Sequence, residues 1–201
     1  MPQGAGRKGE AVFSTLVAYG LVGCFLGLER LARQGRAATS LEIGPFDRGS
    51  TRVLGVAFLV AVLTLLVAPV LNAFQVGAMG WTAVGWVGIG LMVGGIALRF
   101  WATRVLGRFY TRTLRAAADQ QVIDHGRYKV LRHPGYCGVL IMWIGAGFAT
   151  LNWIAATAVM AGMCGAYSYR IRCEEEMLRS ALGRPYETYT LRTWRLVPFV
   201  Y

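Results

Sequence analysis

The sequence predicts an all-α integral membrane protein with about five transmembrane helices, and three observations indicate this fold class. Hydrophobic residues make up 55% of the 201 residues, and the mean hydropathy is +0.46. Charged residues make up only 15%, below the roughly 25% that is typical of soluble domains. Several stretches long enough to cross a bilayer contain no Asp, Glu, Lys or Arg.

The first predicted transmembrane helix covers residues 11–28, which contain no charged residue. Arg7 and Lys8 precede it, as in a secretory signal peptide. However, no clear cleavage site of small residues follows, and more apolar stretches come later in the chain. We therefore interpret residues 11–28 as a membrane helix that is retained.

The second and third predicted helices follow in residues 53–98. Residues 53–72 form the clearest apolar stretch of the chain. Residues 73–98 are also uncharged. The segment "NAFQVGAMG", residues 72–80, predicts a turn, and residues 81–98 a third helix.

The last two predicted helices form a hairpin. No charged residue occurs from Gly135 to Tyr169, which is too long for one membrane helix of about 20 residues. Asn152 in "TLNWI" predicts a turn that divides this stretch into two short helices.

The distribution of basic residues predicts the orientation. Residues 29–52, 99–134 and 170–201 carry 19 of the 21 Lys and Arg residues. The positive-inside rule therefore places these segments and the C-terminus in the cytoplasm, with the N-terminus outside. A net charge of +11 would suggest nucleic-acid binding in a soluble protein, but here the arginines flank membrane helices and face anionic lipid. We expect no nucleic-acid partner.

Glycine is abundant in "GWVGIGLMVGG", residues 85–95, which contains GxG and GxxxG spacings. A phosphate-binding loop would need a strand before it and a helix after it, whereas this segment lies within an apolar stretch. The pattern therefore predicts close packing between membrane helices.

The four cysteines, at positions 24, 137, 164 and 173, match no metal-binding or CxxC spacing. We expect neither a metal site nor a disulfide framework.

Polar residues cluster in the predicted cytoplasmic segments. The clusters are "GRYKVLRHPGYCG" (126–138), "RIRCEEEMLRSALGRPYETY" (170–189) and "YTLRTWRLVPFVY" (189–201). Pro134 suits the first turn of a helix, which places Arg132 and His133 at the start of that helix. Each cluster also has a structural explanation: interfacial anchors, a solvated helix with i,i+4 ion pairs, or an amphipathic end that lies on the membrane.

The order and spacing of these clusters carry more information than any one of them. RHPxYxG, an apolar hairpin, EExxL and GxxYxxY follow one another over roughly residues 96–198. This arrangement resembles the isoprenylcysteine carboxyl methyltransferase family and its wider phospholipid methyltransferase relatives. One departure is Arg127, where the family often has proline. The resemblance divides the chain into N-terminal helices, residues 1–95, and a methyltransferase core, residues 96–201.

The resemblance implies a membrane enzyme that binds S-adenosylmethionine in a cytoplasmic pocket of the C-terminal core. A lipophilic or prenylated acceptor would enter from the bilayer, with membrane lipids as further partners and no metal. By position, the cofactor-binding residues are Gly126, Tyr128, Arg132, His133, Pro134, Tyr136, Glu174 and Glu175. The catalytic candidates are Arg192 and Glu175: Arg192 would orient an acceptor carboxylate, and Glu175 would hold the arginine.

These residue types suit that chemistry. A glutamate binds the cofactor's ammonium group, and arginine or histidine binds its carboxylate. Aromatic faces such as those of Tyr128 and Tyr136 suit the sulfonium. An acceptor carboxylate with a pKa near about 4 is already ionised at neutral pH and needs no general base. An amine acceptor must lose a proton, so a glutamate would matter more.

Three alternatives stay open. One is a phospholipid or other amine N-methyltransferase. Another is an NADPH-dependent sterol-type reductase, although the extra phosphate of NADPH favours a basic pocket, whereas "EEE" favours a cofactor with an ammonium group. A non-catalytic membrane protein would leave the spacing of RHPxY and EExxL unexplained. The loop "GPFDRGS", residues 44–50, is a further candidate for substrate contact.

Overall fold

The computed structural model describes residues 3–31, 44–107, 114 and 121–199, and within these the chain is helical, with no strand longer than an isolated bridge. A 3-10 turn, Gly126–Lys129, precedes the fourth helix. The α-helices are α1 (Gln3–Leu31), α2 (Ser50–Ala73), α3 (Thr82–Leu106), α4 (Pro134–Ala149), α5 (Trp153–Leu182) and α6 (Arg184–Thr190).

Three of these helices are long and apolar enough to cross a membrane: Val12–Arg30 within α1, and all of α2 and α3. Each extends beyond its predicted bounds, α3 as far as Leu106. The hairpin of α4 and α5 is present, but α4 has only 16 residues and the second half of α5 is charged. By length and composition, the described residues therefore contain three spanning helices where the sequence predicted about five.

The hairpin turns at Asn152, as predicted. The Asn152 side chain accepts a hydrogen bond from the Ala155 backbone N–H at 2.9 Å and so caps α5. Its amide nitrogen donates to Asn72 Oδ1 and to the Val76 carbonyl, both at 2.8 Å. This buried amide network joins the turn after α2 to the turn between α4 and α5, at one end of the bundle.

Helices α3 and α4 pack closely along facing glycines, which confirms the packing predicted from the glycine pattern. A methyl group on Gly95 would lie 2.5 Å from the Gly138 carbonyl oxygen, and one on Gly88 would lie 2.5 Å from the Gly145 carbonyl oxygen. Neither distance is compatible with a Cβ atom, so only glycine allows the two backbones to approach this closely.

The other end of the bundle gathers polar residues from distant parts of the chain. The C-terminal ends of α1 and α3, the loop before α2, the start of α4 and the second half of α5 meet there. Charged side chains from these segments are buried together, which makes this end the candidate functional site.

Candidate active site

A buried carboxylate, that of Glu175 on α5, organises the polar end of the bundle; its side chain is 1% exposed. Arg132 Nε donates to it at 2.8 Å, and Arg195 donates through Nε at 3.0 Å and Nη2 at 2.9 Å. His133 Nε2 and Arg179 Nη2 each lie 3.5 Å from one of its oxygens. Three segments, before α4, along α5 and after α6, are therefore tied to one carboxylate.

The pKa of Glu175 reflects these neighbours. Burial raises the pKa, but His133, Arg195 and the charge on Arg132 lower it by more than burial raises it. The pKa of Glu175 therefore lies well below its ordinary value. Glu175 is thus ionised at neutral pH and fully engaged with the protein.

The start of α4 is joined to the C-terminal segment by backbone hydrogen bonds. Arg132 N–H donates to the Trp194 carbonyl at 2.7 Å, and His133 N–H donates to the Arg195 carbonyl at 3.1 Å. The Arg132 guanidinium also donates to the carbonyl oxygens of Thr190, at 3.0 Å, and Thr193. Arg132 and His133 are therefore held in place by bonds that sequence spacing does not reveal.

The three consecutive glutamates point in three directions, because successive residues of an α-helix are about 100° apart. Glu174 is half-buried and accepts a hydrogen bond from the Tyr136 hydroxyl at 2.5 Å. Glu175 points inward, and Glu176 points to solvent, where it pairs with exposed Arg48 at 2.8 Å. The two acidic residues of EExxL therefore have different environments.

A cleft lies beside Glu174, with about 880 Å³ of empty space that includes open solvent. Its lining combines charged and polar residues with apolar ones, among them Leu114, Ile123 and Met177; we call it the polar cleft after the charged residues. Most of the predicted cofactor residues line it: Tyr128, Arg132, His133, Tyr136 and Glu174. Two tyrosines of the GxxYxxY motif, Tyr186 and Tyr189, line it as well. The Tyr186 hydroxyl is buried and has no hydrogen-bond partner among the described residues, so the cleft presents a polar group that a ligand could satisfy.

The remaining predicted cofactor residues shape this cleft without lining it. Gly126 has φ of +60° and leaves no room for a side chain, since a methyl group there would lie 2.8 Å from the Trp101 ring. Pro134 is the first residue of α4, as predicted. Glu175 lies behind the cleft wall, where it holds Arg132 and His133.

A second cavity lies between α1, α2 and the helical hairpin. Apolar side chains of α1 and α2, including Phe25, Leu54 and Phe58, form much of its wall. Three residues line both this cavity and the polar cleft: Arg99, Tyr136 and Arg170. We call these three residues the junction.

Both arginines of the junction are held by acidic residues of the N-terminal segment. Arg99 Nε donates to Glu29 of α1 at 2.7 Å. Arg170 Nη1 donates to Asp47 at 2.8 Å, in the loop before α2. Sequence reasoning missed Arg99 and Glu29, and treated Asp47 only as part of a candidate loop. The available signal was that all four residues fall in predicted cytoplasmic segments.

Arg192 does not lie where it was expected. Its side chain is 63% exposed and lies 3.5 Å from Asp124. The expectation that Glu175 holds Arg192 is wrong, because Arg195 and Arg132 bind Glu175 instead. Position in a motif did not distinguish two arginines of the same short segment; the hydrogen bonds of that segment to the start of α4 determine which one turns inward.

The low pKa of Glu175 predicts acid sensitivity. The pKa of Asp47 is lowered as well. Burial raises it, but hydrogen bonds from Thr51 and Ser50 and the charge of Arg170 lower it below its ordinary value. The stability that these ionised groups provide is complete above the ordinary carboxyl pKa of about 4 and is lost as pH falls through the lower folded-state pKa.

We therefore expect the melting temperature in detergent to fall as pH is lowered from about 4.5. Circular dichroism melts between pH 7 and pH 3 measure this. Glu175→Gln should show a shallower pH dependence over this range, whereas Glu187→Gln, at an exposed position, should keep the wild-type slope. Equal slopes for wild type and Glu175→Gln would contradict the prediction.

Comparison with known proteins gives a consistent result. A model of the isoprenylcysteine carboxyl methyltransferase (ICMT) family matches residues 87–180. The chain is 33% identical over 112 residues to a probable protein-S-isoprenylcysteine O-methyltransferase of Oryza sativa subsp. indica, covering 55% of this chain and 59% of that protein. It is 31% identical over 112 residues to protein-S-isoprenylcysteine O-methyltransferase B of Arabidopsis thaliana, covering 55% and 57%. The chain thus spans less than two thirds of the length of these relatives.

The fold is also similar to that of a solved protein. The structure of the eukaryotic intramembrane Ras methyltransferase ICMT superposes with a TM-score of 0.61 and 24% identity, covering 71% of this chain and 52% of that one. This likeness shows a shared helical membrane fold.

Proposed function

Since residues 87–180 match the model of the isoprenylcysteine carboxyl methyltransferase family, we propose that the protein is an integral membrane methyltransferase that uses S-adenosylmethionine. We propose that its acceptor is the carboxylate of an isoprenylcysteine-like molecule. One observation carries the proposal: the polar cleft and the second cavity meet at two arginines and a tyrosine, Arg99, Arg170 and Tyr136. A polar cofactor and a lipophilic acceptor need two such compartments with a common boundary.

The polar cleft has the groups that the cofactor requires. The Glu174 carboxylate suits the ammonium group, and Arg132 or His133, in the same lining, suits the carboxylate. The Tyr186 hydroxyl, buried without a partner in the described part of the chain, fits a further polar atom of the same ligand. The bound cofactor would supply an electrophilic methyl group on a sulfonium, which the faces of Tyr128 and Tyr136 would accommodate.

The second cavity suits the acceptor. The apolar walls from Phe25, Leu54 and Phe58 would receive an isoprenoid chain from the bilayer. Its carboxylate would then lie at the junction, where Arg99 and Arg170 present guanidinium groups. Because a carboxylate is ionised at neutral pH, these residues need only to bind and orient it, and no residue has to accept a proton.

The geometry also revises the two catalytic candidates. Glu175 is a positioning residue, since its oxygens are taken up by Arg132, Arg195 and their neighbours. Arg192 lies outside the lining of both cavities among the described residues, so we assign the acceptor carboxylate to Arg99 and Arg170.

We further propose that the hairpin crosses the membrane as well, which gives five crossing segments with the polar cleft on the cytoplasmic side. Helix α4 is short, but most of its residues are buried between its neighbours, so protein rather than lipid surrounds it. The three segments that carry 19 of the 21 basic residues begin or end at the cleft end of the bundle, which supports this orientation.

The experiment that tests the function uses the detergent-purified chain, S-adenosylmethionine with a radioactive methyl group, and N-acetyl-S-farnesylcysteine. We expect a labelled product that releases its label in base, as a methyl ester does. A base-stable product from an amine acceptor, with no ester formed, would favour the N-methyltransferase alternative.

Calorimetry tests the cofactor site separately. We expect S-adenosylhomocysteine to bind and NADPH not to bind. Glu174→Gln should weaken binding of S-adenosylhomocysteine by about tenfold or more, since it removes a charge-assisted contact. The neighbouring exposed residue offers a matched control, Glu176→Gln, which should leave the affinity unchanged. Binding of NADPH alone would overturn the proposal in favour of a reductase.

A further inference from the structure

Two acidic residues of the N-terminal segment, Glu29 and Asp47, reach the junction although they lie outside the segment that matches the family model. Glu29, on α1, accepts from Arg99 Nε at 2.7 Å and from Nη2 at 3.4 Å. Asp47, before α2, accepts from Arg170 Nη1 at 2.8 Å. Both pairs are buried: the side chains of Arg99 and Glu29 are 10% and 11% exposed, and those of Arg170 and Asp47 are 4% and 0% exposed.

Stability alone is a weak explanation for two buried ion pairs. Removing two charges from water costs about as much as their attraction returns, and apolar pairs of similar size often stabilise a fold equally well. The position of these pairs is more informative. Arg99 and Arg170 both line the two cavities, and Glu29 lines the second cavity itself.

The contacts restrict how the arginines can move. An arginine side chain has several rotatable bonds, so an isolated guanidinium would sample many orientations at the boundary of two cavities. Glu29 contacts two nitrogens of Arg99, Nε and Nη2, and this fixes the plane of the guanidinium. The Arg99 Nη1 atom is directed toward Gly135 at the start of α4, on the side of the polar cleft.

We propose that Glu29 and Asp47 are positioning residues for methyl transfer: Glu29 orients Arg99, and Asp47 orients Arg170, so that both guanidinium groups meet the acceptor carboxylate at the junction. This inference rests on the proposed function and extends its active site to α1 and the loop before α2. The N-terminal segment then contributes to acceptor binding as well as to membrane anchoring.

The test is made at Glu29, because Asp47 also holds the start of α2. Asp47 also accepts hydrogen bonds from the Thr51 backbone N–H and from the Ser50 and Thr51 hydroxyls at the start of α2. A change at Asp47 would therefore disturb that helix start as well as Arg170. Both carboxylate oxygens of Glu29 accept from Arg99, so Glu29→Gln removes the charge of this pair while nearly preserving the shape of the side chain.

The experiment is a double-mutant cycle in methyl transfer to N-acetyl-S-farnesylcysteine, with Glu29→Gln, Arg99→Gln and the combined variant. We expect Glu29→Gln to raise the acceptor KM about tenfold while binding of S-adenosylhomocysteine stays within about twofold. In the Arg99→Gln background, Glu29→Gln should have no further effect on the acceptor KM. Glu29→Asp, which keeps the charge, should restore part of the loss, and Glu176→Gln should behave as wild type.

Each outcome decides the inference. An equal effect of Glu29→Gln with and without Arg99, or an equal loss of S-adenosylhomocysteine binding and acceptor binding, would overturn it. If Glu29→Gln alone does not fold, the comparison of Arg99→Gln with the combined variant decides, because the combined variant removes both charges and leaves none unpaired. A wild-type chain that transfers no methyl group to the acceptor would overturn the proposed function, and the inference with it. An active wild type in which Glu29→Gln and Arg99→Gln act independently on the acceptor KM would overturn the inference alone.

Discussion

Glu175→Ala is expected to abolish methyl transfer and to destabilise the fold by about 3–5 kcal/mol, the cost of leaving buried charges without their partner. Two arginines, Arg132 and Arg195, donate to this carboxylate at 2.8–3.0 Å, and His133 lies 3.5 Å from it. Without Glu175, the buried Arg132 would face the partly exposed Arg195 with no carboxylate between the two positive charges. The start of α4 and the C-terminal segment should then separate, and the polar cleft should lose its shape.

The variant series can separate charge from packing. Glu175→Gln keeps the shape of the side chain but not its charge, so it should retain more stability than Glu175→Ala while still losing most activity. Glu176→Ala, one residue along the same helix, removes only an exposed ion pair and should change stability by less than about 1 kcal/mol. The measurements are methyl transfer and thermal unfolding of the purified protein. Activity within threefold of wild type in Glu175→Ala would show that the carboxylate does not organise the site.

Gly95→Ala is expected to destabilise the bundle by about 1–3 kcal/mol, whereas Gly94→Ala should leave it unchanged or slightly more stable. The added methyl group at position 95 would lie 2.5 Å from the Gly138 carbonyl oxygen and 2.6 Å from the Met142 backbone nitrogen. These are backbone atoms and cannot move aside without shifting α4. At position 94, no atom of the described residues outside the neighbouring turns of α3 lies within 4 Å of the corresponding methyl group.

The consequences should extend to the site. Arg99 lies one helical turn after Gly95, and Arg132 and His133 directly precede α4. A shift between α3 and α4 would therefore change the distance from Arg99 to Arg132 and His133, which line the same cleft. We therefore expect Gly95→Ala to lower S-adenosylhomocysteine affinity along with the melting temperature, and Gly94→Ala to keep both. Similar melting temperatures for the two variants would show that the close approach of α3 and α4 is not required.

Several features of the site could be predicted because they depend on local sequence. Pro134 marks the start of α4, since its fixed φ and missing N–H suit a first turn. Four predicted cofactor residues of RHPxYxG and EExxL line one cleft, Arg132, His133, Tyr136 and Glu174, and Tyr128, just before RHPxYxG, lines it as well. The motif tyrosine with the buried hydroxyl, Tyr186, was visible in GxxYxxY but had no chemical reason to be chosen without its surroundings.

The pairings within the site could not be predicted in the same way. Arg192 and Arg195 are both arginines and lie three residues apart, so the sequence does not distinguish them. The backbone hydrogen bonds that join their segment to Arg132 and His133 direct Arg195 to Glu175. Two adjacent glutamates, Glu174 and Glu175, were assigned to the same ligand, yet the rotation of an α-helix sends one to the cleft and the other behind it.

Composition and local pattern by themselves predicted a helical membrane protein that turns at Asn152, and the order of the motifs, through the family resemblance, indicated which segments hold the candidate site. These properties follow from transfer free energies and turn or cap preferences, which act over a few residues. The tertiary structure decided which charges meet. Arg99 with Glu29 and Arg170 with Asp47 are 70 and 123 residues apart in the chain, and nothing local couples them. They meet because buried charges must be paired, and because the close packing of α3 on α4 and of α2 on α5 brings these partners within reach of each other.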